Sequence, residues 1–257
     1  MSEHIRLSLD GPIARITVTR AEKLNALDRA MIVALAEAAT AIEASKEVRV
    51  AILSGEGKAF CAGGDIAAWG GLPPLEMWRD WTRIGHRAFE ALARLRVPLI
   101  CALTGHAFGG GLELAAVADI RVAEHGIKLG LPETGLAMAP GWSGTQRLVR
   151  RFGAGVVRRM ALSGAMFTAD EALALGLVDE VVEAGAGLAR AAAIAAGIAA
   201  RGPLAVQMVK AMINAAEGED KDAPIEGLAG ALTAMTEDLA EGVAAFRGKR
   251  PAAFVGR

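Results

Sequence analysis

Apolar and polar positions along the chain follow two periods. Residues 4–19 alternate loosely about Asp10-Gly11, the mark of a hairpin between two short strands. Asp28 then precedes Met31, Ile32, Leu35, Ala38, Ala39 and Ile42, whose helical spacing predicts an amphipathic helix over 29–45 with Asp28 as its N-cap. Residues 48–53 form a compact apolar strand, and 54–65 a glycine-rich loop ending at a cap-like Asp65. After the breaker cluster at 70–74, Leu75, Trp78, Ala88, Phe89, Leu92 and Leu95 predict one long helix over 75–95, its tryptophans serving core or lid packing.

An apolar run at 98–103 reads as a buried strand that meets Gly105 and the triplet Gly109-Gly110-Gly111, with helical character at 112–117. Glu113 then lies in the first turn of that helix. Strands follow at 119–123 and 127–131, a loop at 135–144, and helices at 145–151 and 156–162. Thr168-Ala169-Asp170-Glu171 has the form of a capping box, and 177–182 is a last short strand. From about Gly187 the pattern is helical and alanine-rich, broken at Gly202-Pro203 and around 217–224. Strand–helix alternation followed by helices alone predicts an α/β core over 1–186 and a helical region over 187–257. No internal sequence repeat is apparent.

Composition narrows the partners. The chain has 257 residues, 53% hydrophobic, enough for a sizeable core, and a net charge of −1 argues against nucleic acid as main partner. The basic clusters Arg147, Arg150, Arg151 and Arg247, Lys249, Arg250 suit either a solvated surface or phosphates on a small ligand. The charged start predicts no signal peptide, and no apolar run predicts a membrane span. Cys61 and Cys101 form no Cys-x-x-Cys pair, so a reducing, cytoplasmic setting is expected. The four histidines lack metal-ligand spacing, so no metal is expected, and the absence of tyrosine excludes a tyrosine acid or base.

Several motifs fail. Leu114 stands where a dinucleotide fingerprint needs glycine, and no P-loop is present. Gly141-Trp142-Ser143-Gly144-Thr145 misses the nucleophile elbow at its fifth residue and lacks the strand–turn–helix setting. What stands out is a set of four: Gly63-Gly64-Asp65 after one strand, Gly109-Gly110-Gly111 after another, then Glu113 and, after Pro132, Glu133. Two glycine turns can supply two backbone amides, and two carboxylates an acid and a base.

Phe60-Cys61-Ala62-Gly63-Gly64-Asp65, the run from Gly105 to Ala115, Pro132-Glu133 and Pro140-Gly141-Trp142-Ser143-Gly144-Thr145-Gln146-Arg147 together resemble the enoyl-CoA hydratase/isomerase (crotonase) family. The likeness extends from Leu24-Asn25-Ala26-Leu27 to the segment Gly242 to Arg250. It implies an α/β crotonase-like spiral of ββα units, a helical C-terminal trimerisation region, and homotrimers or dimers of trimers. It implies an acyl-CoA substrate, with no cofactor beyond that coenzyme A. By position, the amides of Gly64 and Gly110 would form the oxyanion hole, and Gly141 would hold the catalytic water. Ala62, Asp65 and Ile66 would lie along the coenzyme A groove, while Phe246 and Lys249 would reach the coenzyme A of a neighbouring subunit. Glu113 and Glu133 match the two hydratase glutamates.

The chemistry agrees with the likeness. Adding water to a 2-enoyl thioester builds charge on the carbonyl oxygen, and one amide donor to such an oxygen is worth about 3 kcal/mol. One glutamate can activate water while the other, protonated, delivers a proton to C2. The expected activity is reversible syn hydration of a trans-2-enoyl-CoA to a 3-hydroxyacyl-CoA. Alternatives are double-bond isomerisation, a dehydratase or hydrolase acting on a specialised acyl-CoA, and a coenzyme A-binding protein with little catalysis. Departures from the family pattern are Thr104 in place of a usual asparagine, Trp142 in place of a frequent alanine, and Ala137 and Met138. An inward-turned Trp142 would fill much of an acyl pocket and alter acyl selectivity.

Overall fold

A computed structural model describes residues 2–220 and 223–257. The predicted hairpin is present: β1 (Ile5–Asp10) and β2 (Ile13–Val18) pair antiparallel through the two-residue turn at Gly11 and Pro12. Asp28 caps the helix Arg29–Ala44 by accepting from the Met31 amide at 2.9 Å. Thr168 and Glu171 close the expected capping box on the helix Ala169–Ala174.

Three further strand pairs build the core. They are β3 (Val50–Gly55) with β4 (Ala59–Cys61), β5 (Leu99–Leu103) with β6 (His106–Phe108), and β7 (Ile120–Glu124) with β8 (Lys128–Gly130). The first member of each joins a six-stranded sheet of order β1-β2-β3-β5-β7-β10, closed by β10 (Glu180–Val182). The second member joins a four-stranded sheet, β4-β6-β8-β9, closed by β9 (Met166–Thr168). Within each sheet the repeated strands pair parallel. The chain therefore winds as ββα turns, an internal repeat of geometry that no repeat of residues announces. The short strands β4 and β6 lie inside what the sequence reads as glycine loops, because three residues are too few to show a period.

The central strands are buried on both faces, as parallel strands usually are. Ala51 and Leu53 face the main core with the helix Arg29–Ala44, while Val50, Ile52, Ile100 and Ala102 face Ala191, Ala195 and Ala199 of the helix Gly187–Ala199. That helix thus packs on the sheet. The contacts divide the chain after Lys210, into residues 1–210 and 211–257, whereas the sequence pattern places its boundary at 186.

The predicted helix over 75–95 is present as one unbroken helical run over 74–93, with a wide turn inside it. It begins as Pro74–Glu76, widens into a π-helical turn at Met77–Thr82, and continues as Arg83–Ala93. The wide turn buries Trp81 and leaves Trp78 exposed, so only the first of these two serves packing.

The second unit holds the helices Ala223–Ala234 and Glu237–Arg247. Its last residues fold back on the latter helix, where the amides of Val255 and Gly256 donate to the Asp238 carboxylate at 2.6 and 2.8 Å. Met212, Ile213, Ile225, Leu228, Leu232 and Val243 are exposed. Residues 221 and 222, within the break expected around 217–224, lie outside the described residues. Among the described residues no single helix is long and apolar enough to cross a membrane.

Candidate active site

The first glycine turn is held from outside by Asn25. Leu24 and Asn25 both adopt left-handed backbone. The buried Asn25 side chain accepts from the Arg20 amide at 2.8 Å and donates to the carbonyls of Glu56 and Ala59, each at 2.7 Å. This latch sets Leu27 beside the turn: the Leu27 amide donates to Gly63, and the Asp65 amide donates to Leu27, both at 2.8 Å. In such a parallel bridge the middle residue, Gly64, turns its own N–H and C=O away from Leu27. Its carbonyl accepts from the Trp69 indole at 3.2 Å, and its amide donates to no acceptor among the described residues.

Asp65 caps the next short helix through the Ala67 amide at 3.0 Å and pairs with Arg20 at 2.8 Å. Burial pushes this carboxyl up, but the bonds from Arg20 and Ala67 and the charge of Arg20 outweigh it and hold Asp65 below the ordinary value. Its side chain is thus occupied in fixing the turn. Ala62 and the exposed Ile66 line the cavity beside it.

The second turn follows β6. Gly109 takes φ +53°, ψ −124°, a conformation that a side chain would strain. The Gly110 amide opens the short helix Gly110–Ala115 and also has no acceptor among the described residues. The two turns touch: a Cβ placed on Gly63 would stand 3.2 Å from the Gly110 nitrogen. Thr104, one of the departures, donates its hydroxyl to the Gly55 carbonyl at 3.1 Å and ties the end of β5 to β3.

Both glutamates line the same cavity, of about 330 Å³, together with Gly64, Gly110 and Gly141. Glu113 is buried, and its Oε1 accepts from two backbone amides, Trp142 at 2.8 Å and Gly144 at 2.6 Å. A Cβ on Gly144 would come within 2.5 Å of that oxygen, so the close approach needs glycine. Burial, aided by the charge of Glu133, raises the Glu113 carboxyl to about 7 against the pull of the two amides and Arg147. Glu133 stands at the start of the 3₁₀ turn Glu133–Leu136. Neither of its buried carboxylate oxygens has a hydrogen-bond partner, and burial raises its pKa as well. One of those oxygens lies 2.8 Å from where a Gly109 Cβ would be. The two carboxyls interact and titrate as a pair.

Trp142 is turned inward. Its ring centroid lies 5.3 Å from that of Trp81 and 5.3 Å, edge-on, from that of Phe89, and its indole N–H points to the Trp81 carbonyl at 3.4 Å. A Cβ on Gly110 would lie 2.6 Å from the indole, one on Gly64 3.2 Å, and one on Gly85 would collide with the indole nitrogen. The ring therefore fills the space between the two glycine turns and the helix Arg83–Ala93. Trp81 thus serves the packing expected of the tryptophans in this helix, whereas the sequence does not single out Gly85. A glycine inside a helix costs about 1 kcal/mol relative to alanine, and that cost was the available signal of a packing role.

The remaining expectations are placed as follows. Ser143 hydrogen-bonds to His86 Nδ1 at 2.9 Å and does not line the cavity, so the near-miss elbow presents no nucleophile there. The basic cluster is largely structural rather than solvated or phosphate-facing: Arg147 is buried, and Arg151 donates to the carbonyls of Ala116 and Ala118, both at 2.7 Å. Phe246, at the end of its helix, and Lys249, with φ +49°, are exposed in the second unit.

Comparison with known proteins agrees with this architecture. Residues 9–257 match the family model described as Enoyl-CoA hydratase/isomerase. A crotonyl-CoA hydratase of Syntrophomonas wolfei is 36% identical over 258 residues, 99% of each chain. A short-chain-enoyl-CoA hydratase of Clostridium acetobutylicum is 36% identical over 96% of this chain and 95% of its own. The crystal structure of an enoyl-CoA hydratase from Bacillus anthracis superposes with a TM-score of 0.82 at 34% identity, covering 99% of this chain and 100% of the other. The chain belongs to the enoyl-CoA hydratase/isomerase family, and its fold is that of the crotonase enzymes.

Proposed function

We propose that this enzyme catalyses reversible syn hydration of short trans-2-enoyl-CoA thioesters to 3-hydroxyacyl-CoA. The observation that carries the reading is the pair of carboxyls on one cavity, with two uncommitted amides, Gly64 and Gly110, beside them. The thioester oxygen sits between those amides, which stabilise the charge that develops as water adds at C3.

The supports of the two carboxyls divide their roles. Two amide donors favour the charged form of Glu113, which takes the proton from water. Glu133 has no donor from another residue to favour its anion, and burial outweighs the pull of its own backbone amide, so it retains the proton that C2 receives. The Gly141 amide, which donates to nothing among the described residues, holds the water. Ala62, Asp65 and Ile66 flank the mouth of the coenzyme A groove. Trp142, with Trp81, Trp69 and Met77, closes the acyl end and restricts it to short chains.

Exposed apolar residues of the second unit serve a homotrimer or a dimer of trimers. Phe246 and Lys249 approach a neighbour's coenzyme A there.

The test follows loss of the enoyl absorbance when pure protein meets crotonyl-CoA and a panel of longer and branched enoyl-CoAs. Turnover fastest on the shortest chains is expected. Absence of turnover on the whole panel would refute the assignment, and a nearly harmless Glu133→Gln would move it to double-bond isomerisation.

A further inference from the structure

The amide pair that holds Glu113 has an unusual support. Trp142 and Gly144 can aim their N–H groups at one oxygen only because the residue between them, Ser143, takes φ +76°. Successive amides converge on an anion in this way when a left-handed residue intervenes. That backbone is strained for a residue with a Cβ and persists only where the surroundings over-determine it. Ser143 is buried, and its Oγ meets His86 Nδ1, at 2.9 Å, on a different element, the helix Arg83–Ala93. The carbonyl of Ser143 also accepts from the Arg147 amide at 2.9 Å.

We infer that the His86–Ser143 hydrogen bond is a positioning device that keeps Ser143 left-handed and so keeps the two-amide cradle closed on Glu113. Neither side chain touches substrate; both act through the backbone on either side of Ser143. The charges that bear on the pair are few. Burial lowers the His86 pKa, Glu90 on its own helix opposes this, and Arg147 adds to it, so the imidazole stays neutral at neutral pH. Glu113 faces Glu133 and Arg147. Opening the cradle removes the amide bonds that favour the Glu113 anion, so its pKa moves further up.

The inference deepens the hydratase reading and rests on it for its kinetic consequence, but one measurement does not. Glycine takes φ +76° without strain, so His86 should matter only while residue 143 carries a side chain. The experiment is a double-mutant cycle on the full chain with His86→Ala and Ser143→Gly, read by crotonyl-CoA hydration across pH and by hydrogen exchange of the 140–145 backbone. In the wild-type background His86→Ala lowers kcat about tenfold, moves the acidic limb of the pH profile up by about half a unit, and speeds exchange of the Trp142 and Gly144 amides. In the Ser143→Gly background the same change costs less than about twofold and leaves exchange unaltered. His86→Asn, which keeps a hydrogen-bonding atom near the Nδ1 position, recovers most of the loss. Equal His86→Ala effects in both backgrounds, or unchanged exchange, would overturn the inference. A wild type that hydrates nothing refutes the functional reading instead and leaves the exchange comparison to decide the cradle.

Discussion

Glu113 and Glu133 are the same residue type facing the same cavity, and their supports differ in kind. Glu113 rises from the helix Gly110–Ala115, is clamped by two amides of the 141–144 segment, and is buried. Glu133 stands on a 3₁₀ turn with its oxygens against Gly109 and without a hydrogen bond. One carboxyl is oriented before any ligand arrives, and the other is left for substrate to satisfy. The lesson is that acid and base assignments follow from what donates to each oxygen. Residue type and burial alone leave the two indistinguishable, since burial raises both.

The largest break in this comparison is removal of either carboxyl. Glu113→Gln and Glu133→Gln should each lower kcat for crotonyl-CoA hydration by about 10²- to 10⁴-fold, the usual worth of a positioned acid or base. Next come substitutions that disturb one support and spare the other. Gly144→Ala places a Cβ against the Glu113 oxygen, and Gly109→Ala places one against Glu133 while straining a backbone at φ +53°. Each should cost about 10²-fold, the order of loss that misplacing a reacting group by about 1 Å can bring. Only Gly144→Ala should shift the limb of the pH profile that belongs to the base.

A smaller effect belongs to Trp142. Trp142→Ala should shift the kcat/KM preference toward longer acyl chains by about tenfold per added methylene or two. It should also lower thermal stability, by about 3–5 kcal/mol for an emptied indole site. An unchanged chain-length preference would refute its role in closing the acyl end.

The smallest expected effect is on stability with pH. Glu113 is raised from the ordinary 4.5 to about 7 on folding, so the folded chain binds the proton more tightly than the unfolded one. Stability from this group is therefore full below about 4.5 and is lost as pH rises through about 7, by about 1 kcal/mol per pH unit inside that window. Denaturant unfolding of Glu113→Gln should lack that slope. A wild type whose stability rises across the same window relative to the variant would contradict the burial account.

Much of the site is legible in the residues, because it is built from turns and carboxylates that are local in sequence. Gly63-Gly64-Asp65, Gly109-Gly110-Gly111, Glu113 and Glu133 announce themselves by type and order, and the structure brings Gly63, Gly64, Gly109, Gly110 and both glutamates to one cavity. What escapes the sequence is long-range. Gly85 is an unremarked helical position until Trp142, 57 residues later, is seen to fill the room it leaves. Asn25 reads as part of a motif, yet its work is to hold Leu27 beside Gly64 through bonds to residues 56 and 59. Ser143 reads as a failed nucleophile, and only its φ and its distance to His86 show a support instead. The ββα repeat, which the family likeness implies, is not readable from periodicity, because strands of three residues carry no readable period.

The central claim is that Glu113 and Glu133, which line one cavity, act together on water at C3 and a proton at C2. The most direct measurement is the product of crotonyl-CoA hydration in D₂O, analysed by NMR for deuterium at C2 and its face relative to the C3 hydroxyl. The account predicts one deuterium per product, on the same face as the hydroxyl, and near loss of product in either glutamine variant. Deuterium on the opposite face, or full hydration by the Glu133→Gln protein, would contradict it.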